Sequence, residues 1–228
     1  MDMRTDYVRQ LEELDRDVKE MSERVQELLE RACASKSDES EKLMEADQIN
    51  SESSNLSASE RSIETLALRL LLLQQPLAAD MRKVSGTLKA VTDLKRIGEE
   101  SLDILRIRLE ISERKYKVSK GARKEMGEMT DVVCKIVDTA VASYLEGDLE
   151  KSKAAIAMDD EVDAHLGGLR KKYVKNMLDE KVDVDTGVDL LMIAKYFEGI
   201  GDHAESLAYW AEYVVAGTRG GEPFTLEG

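Results

Sequence analysis

Apolar residues recur at helical spacing almost from the start of the chain. Leu11, Leu14, Val18, Met21, Val25, Leu28 and Ala32 fall alternately three and four apart, the spacing that lines the seam of a helical bundle. Ser35-Lys36-Ser37-Asp38 interrupts the pattern and offers a cap. A second helix then carries Ile49, Leu56, Ile63, Leu66, Leu70 and Leu73, with a serine-rich, weaker middle from Asn50 to Ser59. Gln74-Gln75-Pro76 punctuates, because proline suits a first helical turn, and a third helix runs through Met81, Val84, Leu88 and Val91 to about Glu113. Beyond the basic stretch Lys115 to Lys120 a fourth helix reaches about Leu145, and Gly147-Asp148 makes a turn. A fifth carries Ile156, Val162, Leu166, Leu169 and Tyr173, and a loop near Asp179 to Asp185 follows. The sixth shows Ile193, Phe197, Ile200, Ala204, Leu207, Ala211 and Val214 before Gly217 and Gly220-Gly221 end it.

The two halves repeat. Asp93-Leu94-Lys95-Arg96-Ile97-Gly98-Glu99 corresponds to Tyr196-Phe197-Glu198-Gly199-Ile200-Gly201-Asp202, and Asp47-Gln48-Ile49-Asn50 resembles Asp160-Glu161-Val162-Asp163 in the same order. The expected fold is all-α: two tandem three-helix bundles, residues 1–115 and 116–218, with a flexible tail over 219–228. A mid-helix glycine costs about 1 kcal/mol relative to alanine, so Gly98 and Gly201 at equivalent points mark either a close helix approach or a ligand.

Composition supports this fold class. The 228 residues include 2 prolines, 1 tryptophan and 2 phenylalanines, and 42% are hydrophobic, enough to bury a core. The net charge of −14 repels nucleic acid and anionic lipid. No apolar signal stretch opens the sequence, and the longest greasy run, Leu66 to Leu73, is short and contains Arg69, so a cytoplasmic protein that does not insert into membranes is expected. Cys33 and Cys134 are distant in sequence and lack CxxC spacing, which suggests reduced core thiols and neither a disulfide framework nor a thiolate metal site.

Candidate chemistry lies in acidic pairs. Glu198 and Asp202 stand four apart on the sixth helix, Asp159 and Asp163 four apart on the fifth, and each pair shares a helix face. If these helices pack side by side, four carboxylates converge, and hard oxygen ligands without a cysteine or histidine cluster suit magnesium, calcium, manganese or iron. The alternative is a solvated face, since acidic residues four apart abound in so acidic a chain. In the first half Lys95 stands where Glu198 stands, Glu99 replaces Asp202, and the repeat sets Ala46 and Asn50 against Asp159 and Asp163. Asp47, Glu99 and Asp103 are therefore at best a weaker remnant, since an ammonium opposes a cation. His165 and His203 are read as surface or interhelical residues.

The stretch Leu190-Leu191-Met192-Ile193-Ala194-Lys195-Tyr196-Phe197-Glu198-Gly199-Ile200-Gly201-Asp202-His203-Ala204 resembles the signature helix of the phosphate-uptake regulator (PhoU) family. Leu70 to Arg82, Asp93 to Gly98 and Tyr209 to Val215 agree with it, so the resemblance covers nearly the whole chain. It implies a pair of three-helix bundles, carboxylate patches built on an acidic residue, three others and an aspartate, and iron, zinc or similar ions held there. In this chain metal binding carries over to Asp159, Asp163, Glu198 and Asp202. The implied role is a non-enzymatic regulator that docks to the ATPase subunit of the phosphate transporter and to the phosphate-sensing histidine kinase, and a homodimer is compatible with it. The competing class is a di-metal carboxylate protein of ferritin-like type, whose sites need Glu-x-x-His on two helices. Neither histidine has a glutamate three residues earlier. A purely structural bundle explains the apolar seams but not the repeated Ile-Gly-acid motif.

Overall fold

The computed structural model describes residues 3–34, 46–73, 78–112, 114 and 116–223. Among these the chain forms helices α1 (Met3–Ala34), α2 (Ala46–Leu73), α3 (Ala78–Ile111), α4 (Lys120–Glu146), α5 (Leu149–Ile156), α6 (Asp159–Leu178) and α7 (Val184–Ala216), then short strands β1 (Thr218–Arg219) and β2 (Glu222–Pro223). The six expected helical spans are present, the fifth broken by a turn at Ala157 and Met158 into α5 and α6. That break places Asp159, Asp160 and Glu161 in the first turn of α6, where negative charge is favoured by the helix dipole. The expected cap at Ser35 to Asp38, the Gln74-Gln75-Pro76 punctuation and residues 224–228 lie outside the described residues.

Local chemistry sets the remaining boundaries. Ser119 caps α4 by accepting from the Ala122 amide, and Asp148 caps α5 by accepting from Glu150 and Lys151. Asp183 caps α7 through the Thr186 amide. Gly147 at φ 67° and Gly217 at φ 72° end α4 and α7 in the left-handed conformation glycine supplies without steric cost. Part of the span expected as a tail has local structure. Thr218 pairs with Pro223 and Arg219 with Glu222 in an antiparallel hairpin, held by the Gly220 amide donating to Glu212 Oε2 at 2.9 Å and by the Arg219 guanidinium 4.2 Å from the Trp210 ring centre.

The apolar seams are the core. Leu14, Val18, Met21, Val25 and Leu28 of α1, Ile49, Leu56 and Ile63 of α2, and Ile193, Phe197, Ile200, Ala204 and Leu207 of α7 are all buried. Helices α1–α3 form one bundle and α4–α7 the other, and two antiparallel seams join them.

In the larger seam α3 lies along α7. Gly86 faces Val214 and Tyr213, Glu100 lies over Gly199, and buried Asp93 sits between them. His203 Nδ1 donates to Asp93 Oδ1 at 3.0 Å and Trp210 Nε1 donates to Oδ2 at 3.1 Å. A carboxylate only accepts, so this contact fixes the proton of a neutral His203 on Nδ1. His203 is thus interhelical, as expected.

In the other seam α1 lies along α4, where Gln26 Nε2 donates to Asp138 Oδ1 at 2.6 Å. The two cysteines meet here: Cys134 Sγ is 2.9 Å from Cys33 Sγ, although the residues are 101 positions apart. The Cys134 thiol donates to Cys33 Sγ, and the Cys33 thiol faces the Thr130 carbonyl at 4.0 Å. Their contact is a property of the tertiary fold that sequence spacing does not carry.

The seam between α3 and α7 depends on a small residue at Gly86, where an added Cβ would come within 2.4 Å of Val214 Cγ2. Gly86→Ala is expected to lower stability by about 1–3 kcal/mol, the usual cost of overpacking. Gly127, with nothing within 4 Å of an added Cβ, should tolerate alanine and gain up to about 1 kcal/mol. Urea denaturation of both variants measures the contrast, and equal midpoints would refute it.

Candidate metal-binding site

The α6–α7 pair builds the acidic face. Gly201 lets the helices approach closely, since a Cβ there would lie 3.3 Å from both Asp159 Oδ1 and Val162 Cγ1. Around this contact α7 presents Glu198, Asp202 and Glu205, and α6 presents Asp159 and Asp163. Carboxylate oxygens of Asp163, Glu198 and Asp202 all lie within 4.8 Å of one another. Three of the four expected ligands are thus brought together. Asp159 stands at the edge of the group, with Oδ1 buried and, among the described residues, without a hydrogen-bond partner.

Electrostatics report the crowding. Burial, then the charges of Glu205, Asp202, Asp163 and Asp160, push the Asp159 carboxyl up to about 6. Burial followed by Glu198 raises Asp202, and burial raises Glu205 against the hydrogen bond from Tyr209. Like charges this close need protons or a cation. Lys195 supplies one positive charge by pairing with Glu198, and its side chain is 55% exposed.

Two members of the neighbourhood are missing from the sequence reading. Glu205 continues the Glu198 and Asp202 face at the seventh position, a spacing visible in the sequence. Glu100 arrives from α3 of the other bundle, where no spacing rule reaches. Burial pushes its carboxyl up to about 7, opposed by His203 and reinforced by Asp103 and Asp202. Its Oε2 is buried and finds no hydrogen-bond partner among the described residues.

The first half is built differently at the equivalent place. A Cβ on Gly98 would lie 2.6 Å from Leu56 Cδ1, so Leu56 occupies the position that Val162 holds over Gly201. This corrects the α2 register: the counterparts of Asp159 and Asp163 are Ser53 and Ser57, not Ala46 and Asn50. Asp47 is exposed, about two and a half turns before Leu56. Glu99 is 3.5 Å from Lys95 Nζ, which also lies 2.8 Å from Glu60 Oε2. Asp103 pairs with Arg106. The expected remnant of Asp47, Glu99 and Asp103 is therefore not gathered, and an ammonium with a side chain only 23% exposed sits between the acids.

A second grouping, Glu125, Glu128 and His165, lies between α4 and α6. It is already neutralised, because Lys172 and then His165 hydrogen-bond to Glu125 and hold its carboxyl below its usual range, while Lys124 is 3.1 Å from Glu128. His165 is interhelical, as expected.

Comparison with known proteins places the chain. The family profile described as "PhoU domain" matches twice, over residues 18–107 and 126–211, together well over half of the chain. A phosphate-specific transport system accessory protein PhoU homolog of Clostridium acetobutylicum is 28% identical over 161 residues, covering 70% of this chain and 72% of that protein. The homolog from Aquifex aeolicus is 27% identical over 190 residues, covering 83% and 84% respectively. The crystal structure of PhoU from Pseudomonas aeruginosa superposes with a TM-score of 0.82 at 24% identity, covering 93% of this chain and all of that one. The phosphate transport system regulatory protein PhoU from Streptococcus pneumoniae gives 0.80 at 20% identity, covering 93% and 98%. These two structures share the fold.

The raised carboxyls predict a direction for pH dependence. In metal-free protein Asp159 and Glu100 keep protons that the unfolded chain releases near the ordinary carboxyl values of 3.8 and 4.5, so stability falls as pH rises through these windows. His203, raised chiefly by Asp93, contributes stability below its unfolded value that is lost as pH climbs through the folded one. Urea denaturation in chelator should therefore show declining stability between about pH 5 and pH 8. Asp159→Asn should flatten the acidic part of that decline and Glu100→Gln the part near neutrality. Stability that rises over the interval would contradict the assignment.

Proposed function

The chain belongs to the PhoU family, and from that premise we propose that it regulates phosphate uptake and phosphate-responsive signalling while carrying metal on the α6–α7 face. The convergence of Asp163, Glu198 and Asp202 within 4.8 Å carries the metal reading. Their donors are hard oxygens, which suits iron, manganese or magnesium and is compatible with zinc. Asp163, Glu198 and Asp202 would hold the ion, and the orphaned Asp159 oxygen would gain a partner. When bound, the ion supplies positive charge that offsets the mutual repulsion of these acids. Lys195, largely exposed, can swing aside. Lys95 cannot do so without giving up its pairs with Glu60 and Glu99, which favours metal in the second half over the first.

The relatives named as phosphate-specific transport system accessory proteins support the phosphate role. Among the described residues no helix is long and apolar enough to cross a membrane, so contact with a membrane transporter would come through protein docking. Two bundles joined along α3–α7 and α1–α4 present extended helical faces suited to such docking, and the role requires no catalytic step. The proposed partners are the transporter's ATPase subunit and the phosphate-sensing histidine kinase.

Metal analysis of the purified chain tests the site. Glu198→Ala combined with Asp202→Ala should lose most of the bound metal, whereas Glu99→Ala should retain it. Equal loss in both would overturn the asymmetry. For the role itself, deleting the gene should raise phosphate uptake or derepress phosphate-starvation genes in phosphate-rich medium, and unchanged phosphate control would refute it.

A further inference from the structure

We propose that Cys33 and Cys134 form a reversible disulfide that staples the two bundles together across the α1–α4 seam. Their sulfurs lie 2.9 Å apart, inside the contact distance of two unbonded sulfurs, and closing to a bond takes about 0.9 Å of further approach. Cys33 is in the last turn of α1, which ends at Ala34, so a small adjustment there does not disturb the helix interior. Cys134 belongs to the middle of α4. The bond would link residues 101 positions apart and join the bundles at a second place besides the α3–α7 seam.

A buried cation of α3 interacts with Cys33. Among the described residues Arg108 Nε and Nη1 of α3 are buried and find no hydrogen-bond partner, and a buried guanidinium without a carboxylate beside it is costly. Burial pushes its pKa down, while Cys33, followed by Tyr116 and Tyr173, pushes it back. An anionic sulfur on Cys33 would give this guanidinium a counter-charge. Exposure divides the roles: Cys33 is buried at 7% and Cys134 is part-exposed.

A small disulfide of the glutathione type serves as oxidant. The Cys134 thiolate attacks one of its sulfurs, the small S–S bond breaks, and one small thiolate departs. Cys33 thiolate then attacks Cys134 Sγ, displacing the second small thiolate and forming the internal bond. The protein thiols lose two electrons, the oxidant gains them, and the two thiol protons end on the departing small thiols. A reducing thiol reverses the sequence. In a reducing compartment such a bond is transient and responsive rather than structural.

The test incubates the full chain with oxidised glutathione at neutral pH and follows it by intact mass and non-reducing peptide mapping. The expected product is a monomer lighter by about 2 Da, the mass of two hydrogens, with both thiols lost to alkylation, peptides containing Cys33 and Cys134 linked, and full recovery in dithiothreitol. Cys33→Ser should stop at a mixed disulfide on Cys134, and Cys134→Ser should react far more slowly. Two thiols still alkylated after excess oxidant, or linkage only between chains, would overturn the proposal. The wild-type peptide map decides the matter even if either serine variant fails to fold.

Discussion

Asp93 accepts one hydrogen bond from His203 and another from Trp210 across the antiparallel α3–α7 seam, and the placement of the other helices follows from this contact. A buried carboxylate in this position needs both donors, because an unsatisfied charged group costs far more than a single hydrogen bond returns. The two donors lie seven residues apart on α7, about two turns, so they fix the axial register of α7 against α3 as well as its rotation. With the register fixed, Gly86 meets Val214 and Gly199 meets Glu100. Trp210 held in this way gives Arg219 a ring to cover, which seats the hairpin after α7.

The same register separates the two halves of the repeat. Each bundle sets a mid-helix glycine against an apolar side chain, Gly98 against Leu56 and Gly201 against Val162. The residues flanking that contact then decide its charge. In the second half they are carboxylates on both helices, with oxygens drawn within 4.8 Å and one exposed lysine nearby. In the first half they are serines on α2 and Lys95 on α3, and the lysine is enclosed by Glu60 and Glu99. One face is short of positive charge and the other supplies its own. Lys95 against Glu198 and the two serines against Asp159 and Asp163 account for that difference in equal parts.

Much of this was legible in the sequence because helical bundles write their cores as a three-and-four repeat. The seams of α1 and α7, the left-handed glycines at 147 and 217 and the paired acids of α6 and α7 all follow from short-range spacing. The register of α2 did not. Ile49 and Leu56 are both buried and seven residues apart, and a shift of seven is so nearly two full turns that the apolar stripe reads the same at either position. Asp47 then looks like a site residue, and Asn50 like the counterpart of Asp163, although the contact falls at Leu56. Glu100 and the Cys33–Cys134 pair were hidden for a different reason, since each reaches its partners across a seam between bundles. The hairpin at 218–223 was hidden because its stability comes from Glu212 and Trp210, not from any strand pattern of its own.

Anomalous X-ray diffraction from crystals of the full chain grown with manganese tests the central asymmetry most directly. The account predicts a peak bounded by Asp163, Glu198 and Asp202, with Lys195 turned away from Glu198, and none between Glu60 and Glu99. A peak at the first-half acids alone, or none at the α6–α7 face in saturating metal, would contradict it.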